Sequence, residues 1–159
     1  MGTRGFEQLE VYQLAENLAD EVWRVVIKWS HFARYLVGMQ MVRATDSIGA
    51  NIAEGTGRQS FKENQRFVKI ARGSLNETKH WLRRAYNRNL LTEAQIKTLK
   101  VIIDELAPRL NAYLNSIGSP PHTKDQRLRT KDKTFSPHTE YSSHRLCFPM
   151  CNCKWRKKP

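Results

Sequence analysis

Apolar residues return along this chain at steps of three and four, and nowhere do they alternate with the period of two that marks a strand. The pattern is clearest late in the chain. Ile96, Leu99, Ile103, Leu106, Leu110, Tyr113 and Ile117 form a heptad seam. Thr92, with Gln95 three residues on, reads as a capping box, and Gly118 followed by Pro120 and Pro121 supplies the stop. Pro108 lies inside this fourth helix, where it removes an amide donor and crowds the carbonyl of Asp104. A kink is expected there, not a break, because the seam keeps its phase.

The third helix opens on a second predicted capping box, Ser60 with Glu63, and runs to about Asn89. Phe67, Ala71, Leu75, Thr78, Leu82 and Ala85 form its inward stripe. The first helix spans about Leu9 to Trp29, with Val11, Leu14, Leu18, Val22, Val25 and Trp29 inward. The second spans about Tyr35 to Ala53, with Val37, Met41, Ala44, Ile48 and Ile52 inward, and Gly55-Thr56-Gly57 ends it. Four amphipathic helices with short connections predict an all-α fold over residues 1–118, an antiparallel up-down-up-down four-helix bundle. Beyond Gly118 the periodicity lapses. Residues 119–159 are rich in Pro, Ser, Thr, Lys and His, and Thr-Lys-Asp occurs at 123–125 and again at 130–132. This segment reads as a low-complexity, disordered basic tail.

Charge adds a partner to this picture. The formal net charge is +12, with 17 Lys/Arg against 12 Asp/Glu in residues 1–118 and 10 against 3 in residues 119–159. Such a balance favours nucleic acid or an acidic surface. No apolar run approaches the roughly 18–20 residues needed to cross a bilayer, so no membrane partner is expected. The N-terminus shows no apolar core of a secretory signal. Cys147, Cys151 and Cys153 are odd in number and give no disulfide framework, which points to the cytoplasm.

The densest charge is on the third helix. Lys62, Arg66, Lys69, Arg72, Lys79, Arg83, Arg84 and Arg88 fall roughly opposite its apolar stripe, offset only by Glu63 and Glu77. An ordinary solvated helix face carries alternating pairs that support one another. A one-sign face instead meets phosphates and releases their counterions. The helix interleaves no exposed aromatics among these cations, so contact with an RNA or DNA backbone is expected in place of base stacking.

Catalysis fits the residues poorly. There is no phosphate-binding glycine loop. His31 and His80 have no Cys or carboxylate at ligand spacing. Glu77-Thr-Lys-His80 has the Glu-x-x-His spacing of di-iron bundles but no second copy on another helix. The Cys147/Cys151/Cys153 spacing matches no common zinc knuckle. The expectation is a protein that is not an enzyme and carries no metal or cofactor. A last peculiarity is Ser47-Ile-Gly-Ala-Asn-Ile-Ala-Glu-Gly55. Ser47, Asn51 and Glu54 make a polar edge, while Gly49, Ala50 and Ala53 let another helix approach. A tight crossing with a satisfied polar network accounts for it; a partner or subunit contact is the alternative.

That segment, together with Phe6-Glu-Gln-Leu-Glu-Val-Tyr-Gln-Leu-Ala15 and Phe67-Val-Lys-Ile-Ala-Arg-Gly-Ser-Leu-Asn-Glu77, resembles a bacterial four-helix-bundle family. The family is known from proteins encoded in intervening sequences of large-subunit ribosomal RNA genes. The resemblance covers about residues 6–118, and the tail has no counterpart in it. It implies a homopentamer, with bundles packed into a ring around a positively charged channel. A related branch, the accessory variability determinants of diversity-generating retroelements, binds a reverse transcriptase and nucleic acid. The chain resembles the ribosomal branch more closely because it keeps Ala50-Asn-Ile-Ala-Glu-Gly55, in which Asn51, Glu54 and Gly55 carry over as structural positions. The expected function is therefore that of a non-enzymatic, nucleic-acid-binding homo-oligomer. The alternative is an adaptor for a reverse transcriptase.

Overall fold

The computed structural model describes residues 5–118, so the expectations for the tail lie outside the described residues. A 3-10 turn at Phe6–Gln8 leads into α1 (Glu10–Val26). After it come a short α2 (His31–Ala33), a π turn (Arg34–Gly38), α3 (Met39–Thr56), α4 (Phe61–Asn87) and α5 (Glu93–Ser116). No strand occurs among the described residues. The third and fourth predicted helices are α4 and α5.

Local chemistry sets most of the helix ends. At α5 the Thr92 hydroxyl accepts from the Gln95 amide at 3.3 Å, and the Thr92 amide donates to Gln95 Oε1 at 2.8 Å. That box satisfies two donors a helix otherwise leaves orphaned. The helix continues as one element through Pro108, whose ring is exposed. It ends before Gly118, whose φ of +78° is in the left-handed region that glycine adopts freely. Asn89 ends α4 in the same way, at φ 57°, and the Leu90 amide reaches back to the Ala85 carbonyl at 3.0 Å.

Two expected helix starts need correction. Ser60 is the N-cap of α4, but its side chain makes no capping hydrogen bond. Glu63, which would complete the box, lies 3.9 Å from Arg66. The second helix also starts earlier than its apolar period shows. Helical backbone begins at His31, where the Ser30 hydroxyl accepts from the Ala33 amide at 3.4 Å. A π turn follows, across which Ala33, Val37 and Met41 stay buried at steps of four. Gly38 closes that turn against α1: a Cβ there would lie 2.5 Å from Val26 Cγ1.

All four long helices contribute to one hydrophobic core. α3 packs on α1 and α4, α1 on α5, and α4 on α5. The inward residues of α3 are buried as predicted. α1 ends at Val26, short of the predicted Trp29, which is half-buried beyond it; on the helix Leu14 is half-buried at the margin, while Ala15 and Val26 take interior positions.

The α3–α4 contact combines apolar packing with short hydroxyls. Thr45 and Thr78 are fully buried, their Oγ1 atoms 3.5 Å apart. Each also donates to the carbonyl four residues back, at 2.7 and 2.9 Å. Ser74 Oγ lies 3.1 Å from Ser47 Oγ, and Asn51 Nδ2 donates to the Ser47 carbonyl at 2.6 Å. These bonds satisfy polar groups that would otherwise cost about 1–3 kcal/mol each when buried.

Candidate nucleic-acid interface

α4 is long because its inward stripe never lapses. Val68, Ala71, Ser74, Leu75, Thr78, Leu82 and Ala85 are all buried, and the opposite side is left to water. The structure places all eight predicted cations on that exposed side. Two have partners nearby: Arg66 lies 3.9 Å from Glu63, and Arg72 Nη1 donates to Asn111 Oδ1 on α5 at 3.5 Å. Lys62, Lys69, Lys79, Arg83, Arg84 and Arg88 have no ion pair among the described residues. Elsewhere Arg24, Arg58, Lys100 and Arg109 each meet a carboxylate. The mid-helix carboxylate, Glu77, accepts instead from Trp81 Nε1 at 3.3 Å. The positive field of α4 is therefore left largely uncompensated by its neighbours, and it spans roughly 40 Å at the usual rise per residue.

The Asn51, Glu54 and Gly55 positions lie at the far side of α4. Asn51 joins the serine network, and Glu54 pairs with Arg58 on the surface. Gly55 is buried against α4; a Cβ would sit 2.7 Å from Asn64 Oδ1 and 3.0 Å from Phe67 Cβ. Gly73 differs. It is exposed among the cations, and nothing lies within 4 Å of where its Cβ would be.

One surface escaped the reading of the sequence. A groove of about 980 Å³ runs between the end of α1, the π turn and the outer face of α3. Trp23, Ile27, Tyr35 and Met39 line it and are each at least half exposed. The signal was present: Trp23 and Ile27 fall outside the inward stripe of α1. Between Met39 and Thr56 only Arg43, Asp46 and Glu54 are charged. Asp46 borders the groove, and partial burial, aided by nearby Asp20, raises its pKa above the ordinary carboxylate range.

With this geometry in view, the comparisons with known proteins decide the family. Residues 7–112 match the description of the 23S rRNA-intervening sequence proteins. The chain belongs to that family. A solved structure similar to this member is a protein of unknown function from the S23 ribosomal protein family of Bacteroides thetaiotaomicron, with 22% sequence identity and a TM-score of 0.59. The similarity covers 67% of this chain and 99% of that one. At that identity the likeness concerns the fold alone. None of the curated proteins matches the chain. Among the described residues of this 23S rRNA-intervening sequence protein, no helix is long and apolar enough to cross a membrane.

Proposed function

We propose that this 23S rRNA-intervening sequence protein is a non-enzymatic homo-oligomer that binds the phosphate backbone of RNA or DNA through α4. One observation carries the reading: eight cations crowd one exposed helix face against two carboxylates, and only Arg66 of the eight has an ion pair among the described residues. Basic side chains left free in this way are available to phosphates, each contact releasing a counterion. The arrangement we infer for the helices is the antiparallel up-down-up-down bundle. Its support is the short connections and the contacts of each long helix with two others.

Self-association has its own support. The groove beside α3 exposes aromatic and aliphatic side chains, and its rim carries Arg34, Arg43 and Asp46, both signs of charge. A second copy of the chain can meet such a surface with matching apolar groups and opposite charges. Five copies is the number the family resemblance implies. The reverse-transcriptase adaptor gains nothing from the family assignment.

The test is salt-dependent binding of labelled RNA and DNA by the full chain. Affinity should fall steeply as salt rises. Reversing Lys69, Arg72, Arg83 and Arg84 to Glu should abolish binding with helical content unchanged. Undiminished binding by that variant sinks the proposal. Native mass spectrometry of the same samples reads the number of copies.

A further inference from the structure

The cations of α4 form two flanks with an almost neutral strip between them. On the flank nearer α5, Arg72, Lys79 and Arg83 succeed one another at steps of seven and four. On the other, Arg84 and Arg88 stand four residues apart, and Arg66, paired with Glu63, lies five turns of helix before Arg84 on the same side, with the carboxylate of Glu77 between them. At about 100° per residue the two rows stand roughly a third of a turn apart. Between them, from Gly73 onward, lie Gly73, Asn76, His80 and Asn87, all exposed. Lys62 and Lys69 continue the strip toward the N-terminal end of the helix.

This arrangement distinguishes two ways of meeting nucleic acid. A single strand offers one line of phosphates, best followed by one row of cations and by aromatic platforms for its bases. The strip has no such platform: Trp81 is half-buried off to one side, bonded to Glu77. A duplex groove offers two phosphate walls and a floor of hydrogen-bonding edges. The major groove of B-form DNA, about 12 Å wide, admits a helix about 10–12 Å across, whereas that of an A-form RNA duplex is too narrow. Two cation rows match the walls, and neutral donors and acceptors such as Asn76 and His80 match the floor. Gly73 sits where a side chain would hold the helix off that floor. No neighbour in the chain needs a glycine there, because nothing lies within 4 Å of its missing Cβ.

We infer that the partner of α4 is a B-form DNA duplex, entered through its major groove, with the two cation rows on opposite strands and Gly73, Asn76 and His80 toward the floor. This rests on the backbone-binding reading above and makes it specific.

The test compares a 20-base-pair DNA duplex, the same duplex in RNA, and dT and rU single strands of equal length, each titrated with the full-length protein. The DNA duplex should bind on the order of tenfold more tightly than either single strand and more tightly than the RNA duplex. Changing Arg72, Lys79 and Arg83 to Gln, or Arg66, Arg84 and Arg88 to Gln, should each lower the log–log salt slope by about 3, near 0.9 per lost phosphate contact. Gly73→Leu should weaken duplex binding several-fold while leaving the slope unchanged.

Equal affinity for single strands overturns the inference while leaving backbone binding in place. So does a salt slope that responds to one row alone, or a Gly73→Leu variant that binds as tightly as the parent. Competition by polyglutamate as effective as duplex at equal charge also overturns it, and shows an indiscriminate partner for anions. No binding to any of the four probes removes both this inference and the reading beneath it.

Discussion

The same substitution at two glycines should move stability in opposite directions. In a helix interior alanine is favoured over glycine by about 1 kcal/mol, because glycine loses more backbone freedom on folding. At Gly73 that gain is undiminished: the new methyl meets nothing within 4 Å. At Gly55 the methyl would lie 2.7 Å from Asn64 Oδ1 and 3.0 Å from Phe67 Cβ. The Asn64 oxygen is buried without a hydrogen-bond partner, so turning it aside costs little. Phe67 Cβ is fixed to the backbone of α4, and relieving that contact means moving the helix. Overpacking of this kind costs about 1–3 kcal/mol, which outweighs the propensity gain. Gly73→Ala should therefore gain about 1 kcal/mol and Gly55→Ala lose up to about 2 kcal/mol on the same accounting. Urea denaturation of the full chain, followed by far-UV circular dichroism, reads the difference as midpoints displaced to either side of the parent with m unchanged. Thermal midpoints should separate by several degrees, at roughly 4 °C per kcal/mol for a folded region of this size. Two variants shifted in the same direction would refute the argument, since it rests wholly on the surroundings of the two glycines.

Other outcomes follow from individual contacts. Thr92→Ala removes the hydroxyl half of the α5 box, leaving the backbone amide of residue 92 to Gln95, and should destabilise by about 1 kcal/mol; Thr92→Ser should restore most of it in the same denaturation assay. Gly38→Ala drives a methyl into Val26 Cγ1 and should lower the urea midpoint, with about 1–3 kcal/mol lost. Asp46 has its folded pKa raised by burial and by Asp20, so the native state holds this proton more tightly than the unfolded chain does. Its contribution therefore favours folding at low pH and is lost as pH rises from the ordinary carboxylate range through the raised value. Asp46→Asn should flatten that part of the stability-against-pH profile and stabilise the protein at pH 7; an unchanged profile would contradict the burial argument.

The sequence by itself determined the helices, most of the core and the cation face, because each depends on a local period. A step of three or four residues returns a side chain to the same side of its own helix, whatever packs against it. Leu18, Met41, Leu75 and Leu106, all fully or almost fully buried, could be assigned inward positions on that ground. So could the outward positions of Lys69 and Arg83. The Thr92 box was legible for the same reason, since both partners lie within one turn.

The tertiary structure decided whatever depended on a neighbour far along the chain. Trp23, Ile27 and Met39 share a groove only because α1 and α3 pack side by side. Gly55 falls in phase with the buried Ile48 and Ile52, and Gly73 opposite the inward stripe of its own helix. How little room Gly55 has, with Phe67 Cβ 3.0 Å from where its Cβ would be, only the packing of α3 on α4 decides.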